Sequence, residues 1–252
     1  MAPASPSLAA GDAVPALGAP ALRSLIDSRY ACAVEELGIA GERFSLLRVA
    51  DTNALLEAID PATFKEDERL PYWSELWASS ISLARWCLTS GMLCGKDVLE
   101  LGCGLGLAGI AAARSGATVV LSDYEEDALL FARYNVSRNL PGAEVEVHHL
   151  DWRRPVLPRQ FDILLGSDIL YERRHFLPLL EAFDVLLAPA GVVVLTDPDR
   201  STGRAFAELA QEWGYSLRQD RGETEHHGKK IWITRMELQK LPGTAEGRNL
   251  RS

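Results

Sequence analysis

Segments with the apolar pattern of strands alternate along this chain with segments of helical periodicity. The strand-like segments are Arg43–Val49, Asp97–Leu101, Ala117–Leu121, Ala143–His148, Phe161–Gly166, Val192–Thr196, Tyr215–Gln219 and Lys230–Glu237. The helix-like segments are Ala78–Ser90, Leu105–Arg114, Glu125–Asn139, Phe176–Leu187 and Thr202–Trp213. This alternation predicts a doubly wound α/β fold, in which helices cover both faces of a mostly parallel sheet. The last two strands have no helix pattern between them, so we expect an antiparallel hairpin at one edge.

The two ends of the chain differ in composition from this alternating region. Residues 1–21 are rich in Ala and Pro and carry almost no charge, which predicts a disordered arm. Residues 22–69 are expected to form an N-terminal extension, and residues 70–239 the main domain. Residues 240–252 contain Pro and two Gly among polar residues and are expected to form a flexible tail.

The charge balance and the cysteine spacing disfavour several classes of protein. The 252 residues include 26 basic and 35 acidic side chains, a net charge of −9, which disfavours a nucleic-acid partner because that needs a basic face. No apolar run approaches the roughly 20 residues of a membrane span, and no secretory signal is evident. The cysteines show no CxxC spacing, so we expect reduced thiols in a cytoplasmic protein rather than disulfides or a zinc site.

A glycine-rich turn follows the strand Asp97–Leu101, at the position where sheets of this kind bind ligands. The turn reads Glu100-Leu101-Gly102-Cys103-Gly104-Leu105-Gly106. A dinucleotide site would need its third glycine at position 107, which is Leu107. A Walker loop would need Gly-Lys-Ser/Thr, which is absent. The remaining pattern, acid-x-G-x-G-x-G, indicates a nucleotide loop of another kind or a tight structural turn.

Three further positions combine with this turn into a candidate nucleotide site. Asp123 stands 21 residues after Gly102, and a carboxylate there can accept hydrogen bonds from both hydroxyls of a ribose. The alternative role of Asp123 is to cap a helix. Asp151-Trp152 follows the next strand and can hold an adenine by a hydrogen bond and by stacking, or place a tryptophan in the core. Trp77 ends the aromatic run Pro71–Trp77. It can face a cation, which an aromatic ring favours by about 0.5–2 kcal/mol, or pack in the core.

A fourth motif follows the strand Phe161–Gly166. The sequence continues Ser167-Asp168-Ile169-Leu170-Tyr171, so a carboxylate and a phenol stand three residues apart. At the carboxyl end of a central strand these groups can orient a substrate, whereas the alternative for Asp168 is a capping role.

The combined pattern resembles the class I, seven-β-strand S-adenosylmethionine-dependent methyltransferases, and among them the family 16 protein-lysine methyltransferases. The resemblance covers about residues 70–200. It implies a Rossmann-like, seven-stranded, mostly parallel sheet with an antiparallel edge hairpin, and S-adenosyl-L-methionine as the cofactor. It implies a cofactor site made of Trp77, Glu100, Gly102, Cys103, Gly104, Asp123, Asp151, Trp152 and Ser167. It also implies that Asp168 and Tyr171 face a lysine amine of a protein substrate.

Two other functions stay open at this point. A small-molecule N- or O-methyltransferase can use the same fold with a different acceptor pocket, and a cofactor-binding protein can lack transfer activity altogether. The segment Asp197-Pro198-Asp199-Arg200 resembles a loop that lies beside the acceptor pocket in bacterial relatives, or it forms a polar turn before the next helix.

Two pairs of adjacent histidines, His148-His149 and His226-His227, are the remaining candidates for metal ligands. Adjacent side chains on a strand point to opposite faces, so the two imidazoles of each pair are expected to diverge. The sequence therefore predicts solvated or structural histidines and no metal site.

Overall fold

The computed structural model describes residues 17–57 and 70–242. Their helices are α1 Ala19–Asp27, α2 Thr52–Glu57, α3 Ala78–Thr89, α4 Leu107–Arg114, α5 Glu126–Asn139, α6 Phe176–Leu186 and α7 Ser201–Glu212. Their strands are β1 Cys32–Ile39, β2 Glu42–Val49, β3 Asp97–Leu101, β4 Thr118–Asp123, β5 Glu146–His149, β6 Phe161–Ser167, β7 Leu187–Asp197, β8 Tyr215–His226 and β9 Lys229–Lys240. No helix in these two ranges is long and apolar enough to cross a membrane.

Strands β3 to β9 form one seven-stranded sheet in the order β5-β4-β3-β6-β7-β9-β8. The pairs from β5 to β7 are parallel, and β9 runs antiparallel to both β7 and β8. The chain moves outward from β3 to β5 and then returns to place β6 on the other side of β3. The predicted fold class is confirmed, and this reversal between β3 and β6 creates the crevice in which such sheets bind ligands.

Apolar residues alternate between the two faces of the central strands and build a core on each face. Val98 and Val119 pack with α3, α4 and α5, whereas their neighbours Leu99 and Val120 pack with α6 and α7. All four are almost completely buried. This alternation with a period of two is typical of strands that are covered on both faces. It leaves the residues at the strand ends to face a ligand at the edge of the sheet.

The N-terminal region is more ordered than its sequence suggests. Helix α1 begins at Ala19, so the last residues of the predicted arm are helical, and residues 1–16 lie outside the described ranges. Strand β1 was not predicted, and it pairs with β2 in an antiparallel hairpin. At the other end, Lys240 closes β9, and residues 243–252 of the predicted tail lie outside the described ranges.

Two amide side chains of α5 bind the free edge of the β1–β2 hairpin. Asn135 Oδ1 accepts a hydrogen bond from Leu47 N at 2.7 Å, and its Nδ2 donates to Leu47 O and Leu105 O at 3.1 and 3.0 Å. Asn139, one helical turn later, bonds both backbone groups of Ser45 in the same way. Since Leu105 belongs to the glycine turn, Asn135 joins the hairpin to the ligand-binding end of the sheet.

The edge hairpin is longer than predicted and ends in a two-residue turn. His227 and Gly228 form this turn with φ values of 48° and 70°, and His226 pairs with Lys229. The prediction that the side chains of His226 and His227 diverge is wrong, because His227 lies in the turn and not on a strand. The centroids of the two rings are 3.9 Å apart.

Candidate active site

A cavity of about 450 Å³ lies at the carboxyl ends of β3, β4 and β6. Its volume falls in the range of about 300–1,000 Å³ that small-molecule sites occupy. The structure brings the following predicted site residues to its wall: Trp77, Gly102, Cys103, Gly104, Asp123, Asp151, Trp152, Ser167, Asp168 and Tyr171. Short loops after successive parallel strands converge at this edge, which explains why residues distant in sequence meet there.

Three backbone N–H groups of the glycine turn are bonded within the protein. Cys103 N donates to Ser122 O at 2.9 Å, Gly104 N to Asp123 Oδ2 at 2.9 Å, and Gly106 N to Cys103 O at 2.8 Å. In a phosphate-binding loop such N–H groups point at the phosphate oxygens instead. This turn presents a carboxylate to the cavity, so it suits a neutral ribose better than a pyrophosphate.

The carboxylate of Asp123 is buried, with 8% of the residue exposed. Its Oδ2 accepts the bond from Gly104, and its Oδ1 accepts one from Glu125 N at 3.0 Å. Burial raises the pKa of Asp123, and these backbone N–H bonds act in the opposite direction. The side chain does not cap α5, whose N-cap residue is Glu125. A carboxylate has about four lone-pair sites, so Asp123 keeps acceptor capacity beyond these backbone bonds, and ribose hydroxyls are suitable donors.

Glu100 is the predicted cofactor residue that the structure places elsewhere. It does not line the cavity, and its Oε2 accepts a hydrogen bond from Gly109 N of α4 at 2.7 Å. A Cβ at position 109 would lie 2.8 Å from that oxygen, so glycine permits the approach. Burial raises the pKa of Glu100 to about 8, and the carboxyl is protonated at neutral pH. The alternation that sends Val98 toward α4 sends Glu100 there too, which is a signal already present in the sequence.

Aromatic rings form a continuous wall along one side of the cavity. The ring of Tyr72 packs edge to face against those of Trp77 and Tyr171, with ring centroids 5.9 and 5.5 Å apart. The ring of His175 packs in the same way against those of Tyr171 and Trp152, with centroids 6.2 and 5.5 Å apart. Burial raises the pKa of Tyr171 to about 12, so its phenol stays neutral and can donate a hydrogen bond. Sequence reasoning did not select Tyr72 or His175, although Tyr72 belongs to the aromatic run that it identified.

The tryptophan predicted to stack on an adenine lies directly against the glycine turn. A Cβ at Gly102 would lie 3.4 Å from Trp152 Cζ3 and 2.9 Å from Ile169 Cγ2, and Gly102 has a φ of 63°. Both facts require glycine at this position. The carboxylate of Asp151 accepts hydrogen bonds from Arg153 N and Nε at 2.9–3.0 Å, which fix its orientation.

Asp168 follows β6 in a left-handed conformation, with a φ of 60°, and only 10% of its side chain is exposed. It accepts a hydrogen bond from Ser79 Oγ at 3.1 Å and forms an ion pair with the guanidinium of Arg200. Arg200 N also donates to Asp197 Oδ1 at 2.8 Å, which anchors the loop after β7. Arg200 thus lines the cavity and places a cation on Asp168, as expected if this loop lies beside the acceptor pocket.

Acidic side chains outnumber basic ones in the lining of the cavity. The carboxylates are those of Glu75, Asp123, Glu125, Asp151, Asp168 and Glu172, and the guanidinium groups are those of Arg153, Arg174 and Arg200. Together with the aromatic wall, this excess of negative charge favours ligands that carry positive charge.

Comparison with known proteins agrees with this geometry. A family model described as lysine methyltransferase matches residues 60–213. Protein N-lysine methyltransferase METTL21A of Xenopus tropicalis is 32% identical over 60% of this chain and 74% of its own length. Histone-arginine methyltransferase METTL23 of Homo sapiens is 35% identical over 55% of this chain and 77% of its own.

Solved structures share the fold at lower sequence identity. Magnesium protoporphyrin IX methyltransferase from Synechocystis, crystallised with S-adenosylmethionine, superimposes with a TM-score of 0.52 and 18% identity. The match covers 76% of this chain and 99% of that structure. The family model, the relatives and the shared fold together define a Rossmann-like methyltransferase that depends on S-adenosylmethionine. The family model covers more than half of the residues, so the chain belongs to the lysine methyltransferase family.

Proposed function

We propose that this chain transfers a methyl group from S-adenosylmethionine to the side-chain amine of a lysine on a protein substrate. The observation that carries the proposal is Asp168, a nearly buried carboxylate that already binds a cation beside an aromatic wall. The relative METTL21A, named as a protein N-lysine methyltransferase, supports the same acceptor. The cysteines of the chain are free thiols, which supports a reducing, cytoplasmic environment.

The cavity offers a suitable partner for each part of the cofactor. Asp123 would accept the ribose hydroxyls, Trp152 and Asp151 would hold the adenine, and Trp77 would face the positively charged end. When bound there, S-adenosylmethionine supplies an electrophilic methyl group on a sulfonium sulfur, which keeps the electron pair of the broken C–S bond. The three internally bonded N–H groups of the glycine turn, those of Cys103, Gly104 and Gly106, support this fit, because they offer little to a phosphate.

The acceptor amine has to lose a proton before it can attack, since a free lysine has a pKa near 10.4. The aromatic wall of Tyr72, Tyr171 and Trp77 excludes water around the amine and lowers its pKa by desolvation. Asp168 accepts a hydrogen bond from the amine and directs its lone pair, and the neutral phenol of Tyr171 completes the orientation. A carboxylate also stabilises the charged amine, so Asp168 acts by positioning more than as a strong base.

The ion pair between Arg200 and Asp168 has to open before the acceptor amine can bind Asp168. The lysine ammonium has to replace the Arg200 guanidinium on Asp168, which exchanges one cation for another and leaves the buried carboxylate compensated throughout. About a third of the Arg200 side chain is exposed, so it can move aside into solvent. Arg200 therefore competes with the acceptor for Asp168.

An arginine acceptor is the second candidate, because Asp168 already accommodates a guanidinium group. The relative METTL23, named as a histone-arginine methyltransferase, supports this candidate. Arginine would be positioned by the same carboxylate but would present a more delocalised nucleophile, so the two acceptors are distinguished by the methylated amino acid that is formed.

The test is to incubate the full chain with radiolabelled S-adenosylmethionine and a cell lysate. We expect a discrete labelled protein band, and hydrolysis of that band should release methylated lysine. Asp168→Ala should abolish the labelling while changing the affinity for the cofactor less than about threefold, or about 0.7 kcal/mol. Methylated arginine would support the second candidate. Label confined to small metabolites would indicate a small-molecule methyltransferase, and cofactor binding without any label would indicate a protein that does not transfer methyl groups.

A further inference from the structure

The turn between β8 and β9 brings two histidines against a glutamate of the N-terminal hairpin. Glu35 Oε1 lies 3.7 Å from His227 Nε2 and 4.0 Å from His226 Nδ1. One ligand atom from each of the three side chains lies within 4.8 Å of the other two. Within residues 17–57 and 70–242 this is the one group of three histidine, cysteine or carboxylate side chains that is close enough to share a metal ion.

The backbone of the turn produces this convergence. His227 and Gly228 both have positive φ values, as a two-residue hairpin turn of type I′ requires. Histidine is one of the few residues besides glycine that tolerates such a conformation. The turn places the His227 ring beside that of His226, whereas two neighbours on a regular strand would have pointed to opposite faces.

Outer hydrogen bonds orient two of the three side chains. His226 Nε2 bonds Leu76 O at 2.9 Å, so in the neutral ring Nδ1 carries the lone pair that faces Glu35. Arg48 Nε donates to Glu35 Oε2 at 2.7 Å, which leaves Oε1 directed at the imidazoles. Metal-binding histidines and carboxylates are commonly oriented by outer partners of this kind.

We propose that Glu35, His226 and His227 bind a divalent transition-metal ion, of which Zn²⁺ fits the donor set best. Tetrahedral zinc with ligands at about 2.1 Å separates its donor atoms by about 3.4 Å. The two separations from Glu35 Oε1, 3.7 and 4.0 Å, need to shorten by about 0.3 and 0.6 Å to reach this value, and the two imidazole nitrogens lie within 4.8 Å of each other. Two imidazoles and one carboxylate leave a fourth position for water, and this position faces solvent because 57% of the His227 side chain is exposed.

The ion would join two hairpins that are far apart in sequence. Glu35 lies on β1, and the histidines lie at the tip of the β8–β9 hairpin. The Leu76 carbonyl that receives the His226 bond belongs to the wall of the cavity, next to Trp77. The metal would therefore fix the rim of the cavity from outside, and this inference stands whether or not the proposed acceptor is correct.

The first experiment is a calorimetric titration of the chelator-treated full chain with Zn²⁺. We expect one ion per chain and a rise in the midpoint of thermal unfolding, because the ion binds the folded state. His227→Gly removes a ligand while tolerating the positive φ, and it should weaken the binding at least tenfold and abolish the rise in the midpoint. His148→Gln is the matched control: His148 Nε2 lies 2.9 Å from Glu146 Oε2, and no third histidine, cysteine or carboxylate of residues 17–57 and 70–242 completes a metal-binding group with this pair. The affinity of this variant should stay within about twofold.

The exposed thiol of Cys94 is a competing zinc ligand, so the titration is repeated with Cys94→Ser. Retention of the one-to-one binding in Cys94→Ser, together with its weakening in Glu35→Gln and His227→Gly, is the expected result. The proposal is overturned if no stoichiometric binding occurs, if His227→Gly binds as tightly as the unchanged chain, or if Cys94→Ser alone abolishes the binding.

Discussion

Replacing Asn135 by alanine tests whether the N-terminal hairpin is an integral part of the ligand-binding fold. The substitution removes three hydrogen bonds and leaves the buried backbone N–H of Leu47 and the carbonyls of Leu47 and Leu105 without these partners. A buried group left unpaired costs about 1–3 kcal/mol, and carbonyls cost less than N–H groups, so we expect a total loss of about 3 kcal/mol. For a domain of this size that loss lowers the midpoint of thermal unfolding by about 6–12 °C.

The matched control is Asn139→Ala, one helical turn away. Asn139 makes the same kind of bonds to Ser45 but is only partly buried, so water can replace it and the expected loss is about 1 kcal/mol. Urea unfolding and calorimetry measure both variants. Asn135→Ala should also weaken cofactor binding several-fold, because Leu105 belongs to the glycine turn. Equal small losses of stability in the two variants, with unchanged cofactor affinity, would show that Asn135 does not couple the hairpin to the ligand-binding end of the sheet.

Three further predictions concern the cavity and its support. Asp123→Asn should weaken S-adenosylmethionine binding by about 10–100-fold in calorimetry, since bonds to a charged acceptor contribute about 1.5–3 kcal/mol; an unchanged affinity would mean that the ribose lies elsewhere. Glu100 keeps its proton in the folded chain up to about pH 8 but loses it near 4.5 when unfolded, so the free energy of unfolding should fall by about 1.4 kcal/mol per pH unit between these values. Glu100→Gln should flatten that slope in urea unfolding at pH 5 and pH 8, and a slope that persists would assign it to another group. Arg200→Ala should lower KM for the acceptor about three- to tenfold in steady-state assays because a competing cation is gone, whereas a raised KM would show that Arg200 binds the acceptor.

The parts of the fold that local sequence determines were predictable. Strand β3 has the predicted bounds, Asp97–Leu101, because its apolar residues Val98, Leu99 and Leu101 end at Gly102. Strand β1 was missed because Glu35 and Glu36 interrupt its apolar pattern, and the groups that compensate Glu35 lie far away in sequence. Strand β8 was predicted too short because its second half is polar and mostly exposed, and pairing with β9 defines it.

The same distinction holds for the site. Asp168 and Tyr171 follow one strand directly, so strand-end reasoning finds them and the cavity contains them. The ion pair of Asp168 with Arg200 requires two loops to meet, and no local pattern reports that distance. Glu100 was misplaced because the acid-x-G-x-G-x-G pattern was applied without the strand alternation that directs this residue toward α4.

We infer that the turn after β3 receives the adenosyl group of a sulfonium cofactor and not a pyrophosphate. The most direct test is calorimetric titration of the full chain with S-adenosylmethionine and, separately, with a nicotinamide dinucleotide. The structure predicts saturable one-to-one binding of the first and no binding of the second. Binding of the dinucleotide, or no heat with S-adenosylmethionine from a chain shown to be folded, would contradict it.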